Sequence, residues 1–302
     1  MAIDPVMQQV LDAVPLEGIA EVGYQRLREL VRERVAMLPV TVRLPKVEDR
    51  TIADRIPARV YSPVAEPKDL PIVVFYHGGG FVIGDLDSHD GVCRGIAEQA
   101  GAVVVAVDYR LAPEHPFPAA VDDAWAALRW VAEHAEQFGG DPARLAVAGD
   151  SAGGNLSAVV AQLARDAGGP SVKFQLLWYP ATTMDDTLPS VAENAHAPML
   201  TKADMDAFLE LYVGERPERP ATLAPARARD LSGLPPAFIA TAEYDPIRDD
   251  GVRYAELLRA AGVPVEHHHA ETLIHGYLAF AVLVPAAAEA FNASVAALKA
   301  AL

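Results

Sequence analysis

Along the first 38 residues, apolar side chains return at steps of three and four. Leu27, Leu30, Val31, Val35 and Leu38 recur with Arg26, Glu29, Arg32 and Glu33 between them. That spacing predicts helix with a single apolar stripe. The stripe has to dock, by plain packing on a main domain, as part of a lid over a pocket, or on a membrane surface. From Val40 the period changes. Two extended segments, Val40–Lys46 and Arg55–Tyr61, flank the polar stretch Glu48-Asp49-Arg50, a pattern that predicts an antiparallel hairpin. Short apolar runs then alternate with longer helical patterns. Strands are predicted at Pro71–Tyr76, Ala102–Val107, Leu145–Gly149, Phe174–Tyr179, Ala237–Thr241 and Val263–His267. Helices are predicted at Ser88–Gln99, Ala119–His134, Ala152–Asp166, Ile247–Ala261 and Ala286–Leu302. Strands apolar on both faces, alternating with helices, imply a mostly parallel sheet covered on both sides, an α/β class. The Pro-rich interval from Met184 to Arg229 breaks the alternation and holds one helical piece, Lys202–Tyr212. It reads as an insertion above the sheet. With no internal repeat and no low-complexity linker, the organisation is one domain with a cap. Residues 1–38 are N-terminal helices and part of the cap, 39–183 the core, 184–229 the cap insertion and 230–302 the core continued.

Composition narrows what such a chain can do. At 302 residues and 51% hydrophobic content it can bury a large core. The net charge of −16 argues against a nucleic-acid partner, which needs a basic face, and against docking on anionic lipid by charge. The lone cysteine, Cys93, cannot form an internal disulfide and falls in a predicted helix interior, where it reads as a small packed residue. The start, Met1-Ala2-Ile3-Asp4-Pro5, has no basic region followed by an apolar one, and no apolar run approaches the length of a membrane span. A cytoplasmic location without an integral membrane segment is the default expectation.

Chemistry enters at Gly149-Asp150-Ser151-Ala152-Gly153, a Gly-x-Ser-x-Gly pattern between a predicted strand and a predicted helix. A serine at that junction is forced into a sharp turn that lifts its hydroxyl clear of the sheet and aims the helix N-terminus at the reacting centre. Without chemistry, Ser151 would be only the N-cap of that helix. His77-Gly78-Gly79-Gly80 directly follows a predicted strand. Consecutive glycines bring bare amides close to a ligand, and such a loop serves as an oxyanion hole. The amides of Gly78 and Gly79, with that of Ala152, are the expected donors. A phosphate loop would need a Gly-Lys-Ser/Thr ending that is absent here. His77, Gly80 and Asp150 are read as supports of the loop. Downstream of Ser151, Asp245 falls past the end of a predicted strand, where sheet enzymes carry their sites, and is the expected acid. Glu243 is the weaker candidate, or a brace for that loop. Asp249 and Asp250 read as first-turn carboxylates complementing a helix dipole. Among nine histidines, His275 lies between the last strand and the last helix and is the expected base. His267-His268-His269 reads as the end of the last strand and not as a metal site, because neighbours on a strand face opposite ways. His196 lies far along the insertion, and His89, His115 and His134 are read as structural.

These motifs resemble the bacterial hormone-sensitive-lipase-like esterases, family IV of the lipolytic enzymes, in the α/β-hydrolase superfamily. The resemblance is carried by His77-Gly78-Gly79-Gly80, Asp108-Tyr109-Arg110-Leu111-Ala112-Pro113-Glu114, Gly149 to Gly154, Glu243-Tyr244-Asp245-Pro246 and His275-Gly276, in the family's order. Tyr277 stands where the family often has Phe. The resemblance implies an α/β-hydrolase fold of about eight strands. It implies a serine carboxylesterase for short- to medium-chain esters, with no cofactor and no metal, and a cap built from the N-terminal helices plus the insertion. It implies a buried polar brace of Asp108, Arg110 and Glu114 beneath the site, and a homodimer through the last strand and helix. Phe81, Tyr179, Leu200, Phe208 and Leu211 are expected to line the substrate pocket, the cap residues among them having simple packing as the plainer role. Two other functions fit the same residues. An acyltransferase would share the acyl-enzyme and differ only in acceptor. A silent small-molecule receptor on this fold would have lost the histidine, which is present here.

Overall fold

In the computed structural model, which describes residues 2–14, 16–37, 39–214 and 218–302, the predicted alternation is present and closes into one sheet. The helices are α1 (Pro5–Ala13), α2 (Ile19–Met37), α3 (Asp90–Ala100), α4 (Ala119–Glu133), α5 (Ala152–Asp166), α6 (Pro189–Glu193), α7 (Lys202–Val213), α8 (Arg248–Ala260) and α9 (Pro285–Ala301). The strands are β1 (Lys46–Ile52), β2 (Ile56–Ser62), β3 (Leu70–Tyr76), β4 (Val103–Val107), β5 (Gly140–Asp150), β6 (Val172–Trp178), β7 (Ala237–Tyr244) and β8 (Val265–Ile274). Among the described residues they form an eight-stranded sheet in the order β1-β2-β4-β3-β5-β6-β7-β8. The pairs β1/β2 and β2/β4 are antiparallel and the rest are parallel. This is the α/β-hydrolase architecture.

Alternation along the central strands divides the core. Ile72, Val74 and Tyr76 of β3, with Val103, Val105 and Val107 of β4, pack with α4 and α5 on one face. Val73, Phe75, Val104 and Ala106 pack with α3 and α9 on the other, where Cys93 is a buried free thiol. Two apolar faces per strand explain the unbroken apolar runs in the sequence.

Two local expectations change. The hairpin is shifted: Glu48-Asp49-Arg50 lies within β1, and the turn falls at Ala53-Asp54, both at positive φ (46° and 66°). Strand β1 is the sheet's edge, so charged residues suit it, and they resemble a loop only when read without the sheet. The three consecutive histidines lie within β8, which continues to Ile274, and are not its end. The N-terminal periodicity resolves into α1 and α2, with Gly23 inside α2 at φ 76°, ψ 163°. Leu38 lies outside the described residues, as do positions 215–217 of the insertion. Helix α1 packs Met7 into the α3/α9 side of the core, and the Asp4 amide donates to Thr272 O (2.9 Å). Helix α2 docks on α7 of the insertion, with Ala20 N–H donating to Asp204 Oδ1 (3.0 Å). That same carboxylate caps α7, accepting from Thr201 N and Thr201 Oγ1 through Oδ2. No helix among the described residues is long and apolar enough to cross a membrane.

Candidate active site

Ser151 stands between β5 and α5 with φ 51°, ψ −115°, a left-handed backbone that a non-glycine residue adopts only under constraint. The constraint is visible in its neighbours. A Cβ at Gly153 would run into the carbonyl of Tyr76, and one at Gly149 into the backbone of Gly153 and Tyr76 O. Only glycine lets β3 and the first turn of α5 close around the serine. The turn points the unpaired amides and partial positive charge of α5 at the hydroxyl.

His275 follows β8 directly, and Asp245 follows β7, its register neighbour. The His275 Nε2 atom lies 3.0 Å from Ser151 Oγ, and its Nδ1 lies 2.8 Å from Asp245 Oδ2. Asp245 is 0% exposed and His275 7%. The other carboxylate oxygen of Asp245 accepts from Ile247 N (2.8 Å), which fixes its orientation. Asn194 of the insertion donates from Nδ2 to the carbonyls of Glu243 (3.1 Å) and Asp245 (3.3 Å), a support that no local motif announced. Glu243 braces the same loop, taking His269 Nε2–H (2.9 Å) and the Arg248 guanidinium (3.2 Å). The Tyr179 ring lies against His275, centroids 4.8 Å apart.

The glycine loop differs from expectation at two amides, that of Gly78, expected as a donor, and that of Gly80, expected as a support. Gly78 N–H donates to Asp150 Oδ1 (2.9 Å) and is therefore engaged. Gly79 and Gly80, at φ 116° and 60°, have amides with no acceptor among the described residues, and Ala152 opens α5 where no intrahelical acceptor exists. His77 is buried, stacks on Tyr109 at 4.3 Å and donates from Nδ1 to Gly78 O (2.8 Å). Burial, and then the nearby His89, push its pKa down to about 4, against the pull of the Gly78 carbonyl. Its contact is thus with the backbone of the glycine loop. From above, α7 bears on the loop: Phe208 covers Gly80 so closely that a Cβ there would overlap its ring, and Tyr212 stacks on Phe81 at 3.9 Å.

Ser151, His275 and the loop open into a cavity of about 1530 Å³ whose walls include Phe81, Tyr179, Leu200 and Phe208. Leu211 does not line it. On α7, Met205, Asp206, Phe208, Leu209 and Tyr212 reach the cavity, and Leu211 only packs against the core cluster. The wall also draws on Val10 of α1, Val14 just past its end, and Val31 and Val35 of α2. Exposed apolar residues collect around it: Val14, Met37, Val40, Met199, Val282 and Leu283. No group of three or more His, Cys, Asp or Glu side chains suited to a metal occurs among the described residues.

Two further expectations are corrected. The brace of Asp108, Arg110 and Glu114 is not one buried unit. Arg110 pairs with buried Asp123 (2.7 Å), while half-exposed Glu114 pairs with Arg28 of α2 (2.8 Å). Asp108 stands apart from both pairs, its pKa raised to about 6 by burial and then by Asp85 and Asp87. Asp250 is not a solvent-facing dipole partner. It is buried and its Oδ1 accepts from Thr182 N, Thr183 N and Thr183 Oγ1 at 2.8–2.9 Å, clamping the chain after β6. Burial raises its pKa to about 7, against the pull of those donors.

The folded chain thus holds the Asp250 proton more tightly than an unfolded one, in which Asp titrates near 3.9. The stability this provides is complete below about pH 4 and is lost as pH rises towards 7. Because all three bonds end on Oδ1, Asn can keep them. Melting curves of Asp250→Asn against wild type are expected to diverge from pH 5 to pH 8, with the variant gaining several degrees in relative Tm. A difference that stays flat over that range contradicts a buried acid.

A profile of the alpha/beta hydrolase fold family matches residues 73–279. Esterase LipI of Mycobacterium tuberculosis is 56% identical, the match covering 99% of this chain and 95% of that protein. Carboxylesterase NlhH of the same organism is also 56% identical, over 99% of this chain and 96% of its own. The solved structure of a Pyrobaculum calidifontis esterase superposes with a TM-score of 0.92 at 42% identity, covering 99% of this chain and 98% of that one. With the sheet order, the serine turn and the glycine loop already in place, these likenesses decide the question of descent: the chain belongs to the α/β-hydrolase fold family, in its hormone-sensitive-lipase-like carboxylesterase branch.

Proposed function

We propose that this carboxylic ester hydrolase works through an acyl-enzyme on Ser151, with His275 as base and Asp245 as its orienting acid. The carrying observation is the unbroken line from Ser151 Oγ to His275 Nε2 (3.0 Å) and from His275 Nδ1 to Asp245 Oδ2 (2.8 Å). His275 Nδ1–H donates to the carboxylate, which leaves Nε2 as acceptor for the hydroxyl proton. As Oγ attacks the ester carbonyl, His275 takes that proton and Asp245 stabilises the imidazolium. The carbonyl oxygen, now negative, is received by the amides of Gly79, Gly80 and Ala152. His275 then protonates the departing alcohol, and a water repeats the sequence to free the acid and restore Ser151. Gly78, whose amide serves Asp150, is a support of the hole and not one of its donors.

The substrate this site suits is an uncharged ester with an apolar acyl or alcohol part. A cavity of about 1530 Å³ exceeds the roughly 300–1,000 Å³ of ordinary ligand pockets, and aliphatic and aromatic side chains dominate its wall. Helix α2 and the insertion 184–229 act as its cap, meeting at Asp204, while α1 belongs with the core. The dimer implied by the resemblance would use the outer edge of β8, the last strand of the sheet.

The test is a series of p-nitrophenyl esters of increasing acyl length, run beside stoichiometric labelling by a fluorophosphonate. Turnover of the butyrate ester is expected, together with one label per chain located on Ser151. Hydrolysis that survives full labelling overturns the assignment. Added short alcohols distinguish hydrolysis from acyl transfer, because only an acyltransferase diverts most of the acyl group to them.

A further inference from the structure

His89, the N-cap residue of α3, follows the turn Asp85 to Ser88. His89 Nε2 lies 3.1 Å from Asp150 Oδ1, the same oxygen that accepts Gly78 N–H at 2.9 Å. On its other side, His89 Nδ1 lies 2.9 Å from Ser88 Oγ, whose one proton is directed to Asp85 O (2.8 Å). The ionised carboxylate can only accept, so Nε2–H donates to it. The ring is held between Phe75 (centroids 5.8 Å) and His77 (5.6 Å). Asp150 is 6% exposed and stays ionised: burial opposes the charge, but His89, His77 and the Gly78 amide together hold its pKa below the ordinary value.

A buried carboxylate that carries the first amide of the glycine loop determines where the next two amides point. A Cβ at Gly78 would collide with that carboxylate, so the approach is as close as backbone allows. We propose that His89 is a positioning residue for ester hydrolysis: through Asp150 it fixes Gly78 and so aims the Gly79 and Gly80 amides at the oxyanion. This rests on the oxyanion donors assigned above. His89 touches neither the nucleophile nor its base, so its contribution appears only as charge develops on the carbonyl oxygen. An oxyanion donor is worth roughly 10²–10³ in rate when removed, and misaiming two of them costs a part of that.

The experiment compares wild type with His89→Ala, His89→Phe and His89→Gln, reading kcat, KM and the inhibition constant of a trifluoromethyl ketone analogue of the ester. That ketone forms a hemiketal oxyanion on the serine. Loss of the Nε2 donor is expected to lower kcat by about 10- to 100-fold with KM within twofold, and to weaken the ketone by a matching factor. Gln, which carries an amide donor to the same position, is expected to recover most of both. Phe keeps the ring volume between Phe75 and His77, so it tests the donor if the alanine chain does not fold. If both the Phe and the Ala variant, or whichever folds, keep kcat and the ketone constant within twofold of wild type, His89 is merely structural and the proposal fails. It fails equally if the loss is confined to KM, or if Gln recovers nothing. Ser151→Ala run alongside separates the two levels. Should that variant still form the ketone adduct, the acyl-enzyme reading itself is wrong, whatever His89 does.

Discussion

Ser151→Ala is expected to fold, bind ester and turn it over at least about 10⁴-fold more slowly than wild type. The residue occupies a turn at φ 51°, ψ −115°, and among the described residues its side chain hydrogen-bonds only to His275 Nε2, so truncation removes that one bond. Alanine tolerates the same backbone about as well as serine. The cavity, the glycine loop and the helix terminus all remain. On the proposed mechanism, what disappears is the covalent route, which leaves water attack assisted by the donors alone. Steady-state hydrolysis of p-nitrophenyl butyrate, with Tm as the folding control, measures the effect. A variant within a hundredfold of wild type contradicts the nucleophile.

Asp245→Asn is expected to cost about 10⁴-fold in kcat by a different route. Asp245 Oδ1 accepts from Ile247 N, so the asparagine oxygen stays on that bond and its amide turns to His275. The ring must then present an unprotonated Nδ1, which puts the proton on Nε2, facing Ser151 Oγ at 3.0 Å. A base whose accepting nitrogen already carries a proton cannot take another. Because the geometry survives, the deficit should shrink at alkaline pH, where the serine proton is lost more readily without help, whereas a variant that simply misfolds shows no such recovery. A pH–rate profile of the variant reads this directly, and a deficit under tenfold would argue that another carboxylate orients His275.

The groups assigned to the proposed reaction are legible in the chain because each stands beside a local signal. Gly149 and Gly153 flank the serine at a strand-to-helix junction. Asp245 and His275 both follow apolar runs that end in a sheet, and their neighbourhood comes from β7 pairing with β8. What stayed hidden depends on partners far along the chain. Three glycines in a row look equivalent, and only a carboxylate at position 150 shows that the amide of Gly78 is already engaged. Asp249 and Asp250 look alike in a first helical turn, yet one is partly exposed and pairs with Arg248, and the other is sealed beneath Thr182 and Thr183. His89 reads as an ordinary helix start until Asp150 is placed beside it. The charged residues of β1 imitate a turn because an edge strand has a side that faces water.

The carboxylate of Asp204 ends the N-termini of two helices at once: α7, which it caps, and α2, whose Ala20 amide it accepts. Both poles are partly positive, so one buried anion neutralises a pair of them. Gly18 is bound to this arrangement, since a Cβ there would overlap the carboxylate. Prising either helix away on its own therefore breaks a charge-assisted bond of roughly 1.5–3 kcal/mol and leaves an uncompensated pole behind. Two stretches of polypeptide about 184 positions apart are thus fastened over the serine by one side chain, so a substitution at Asp204 is felt at residue 20 as well as at the start of α7.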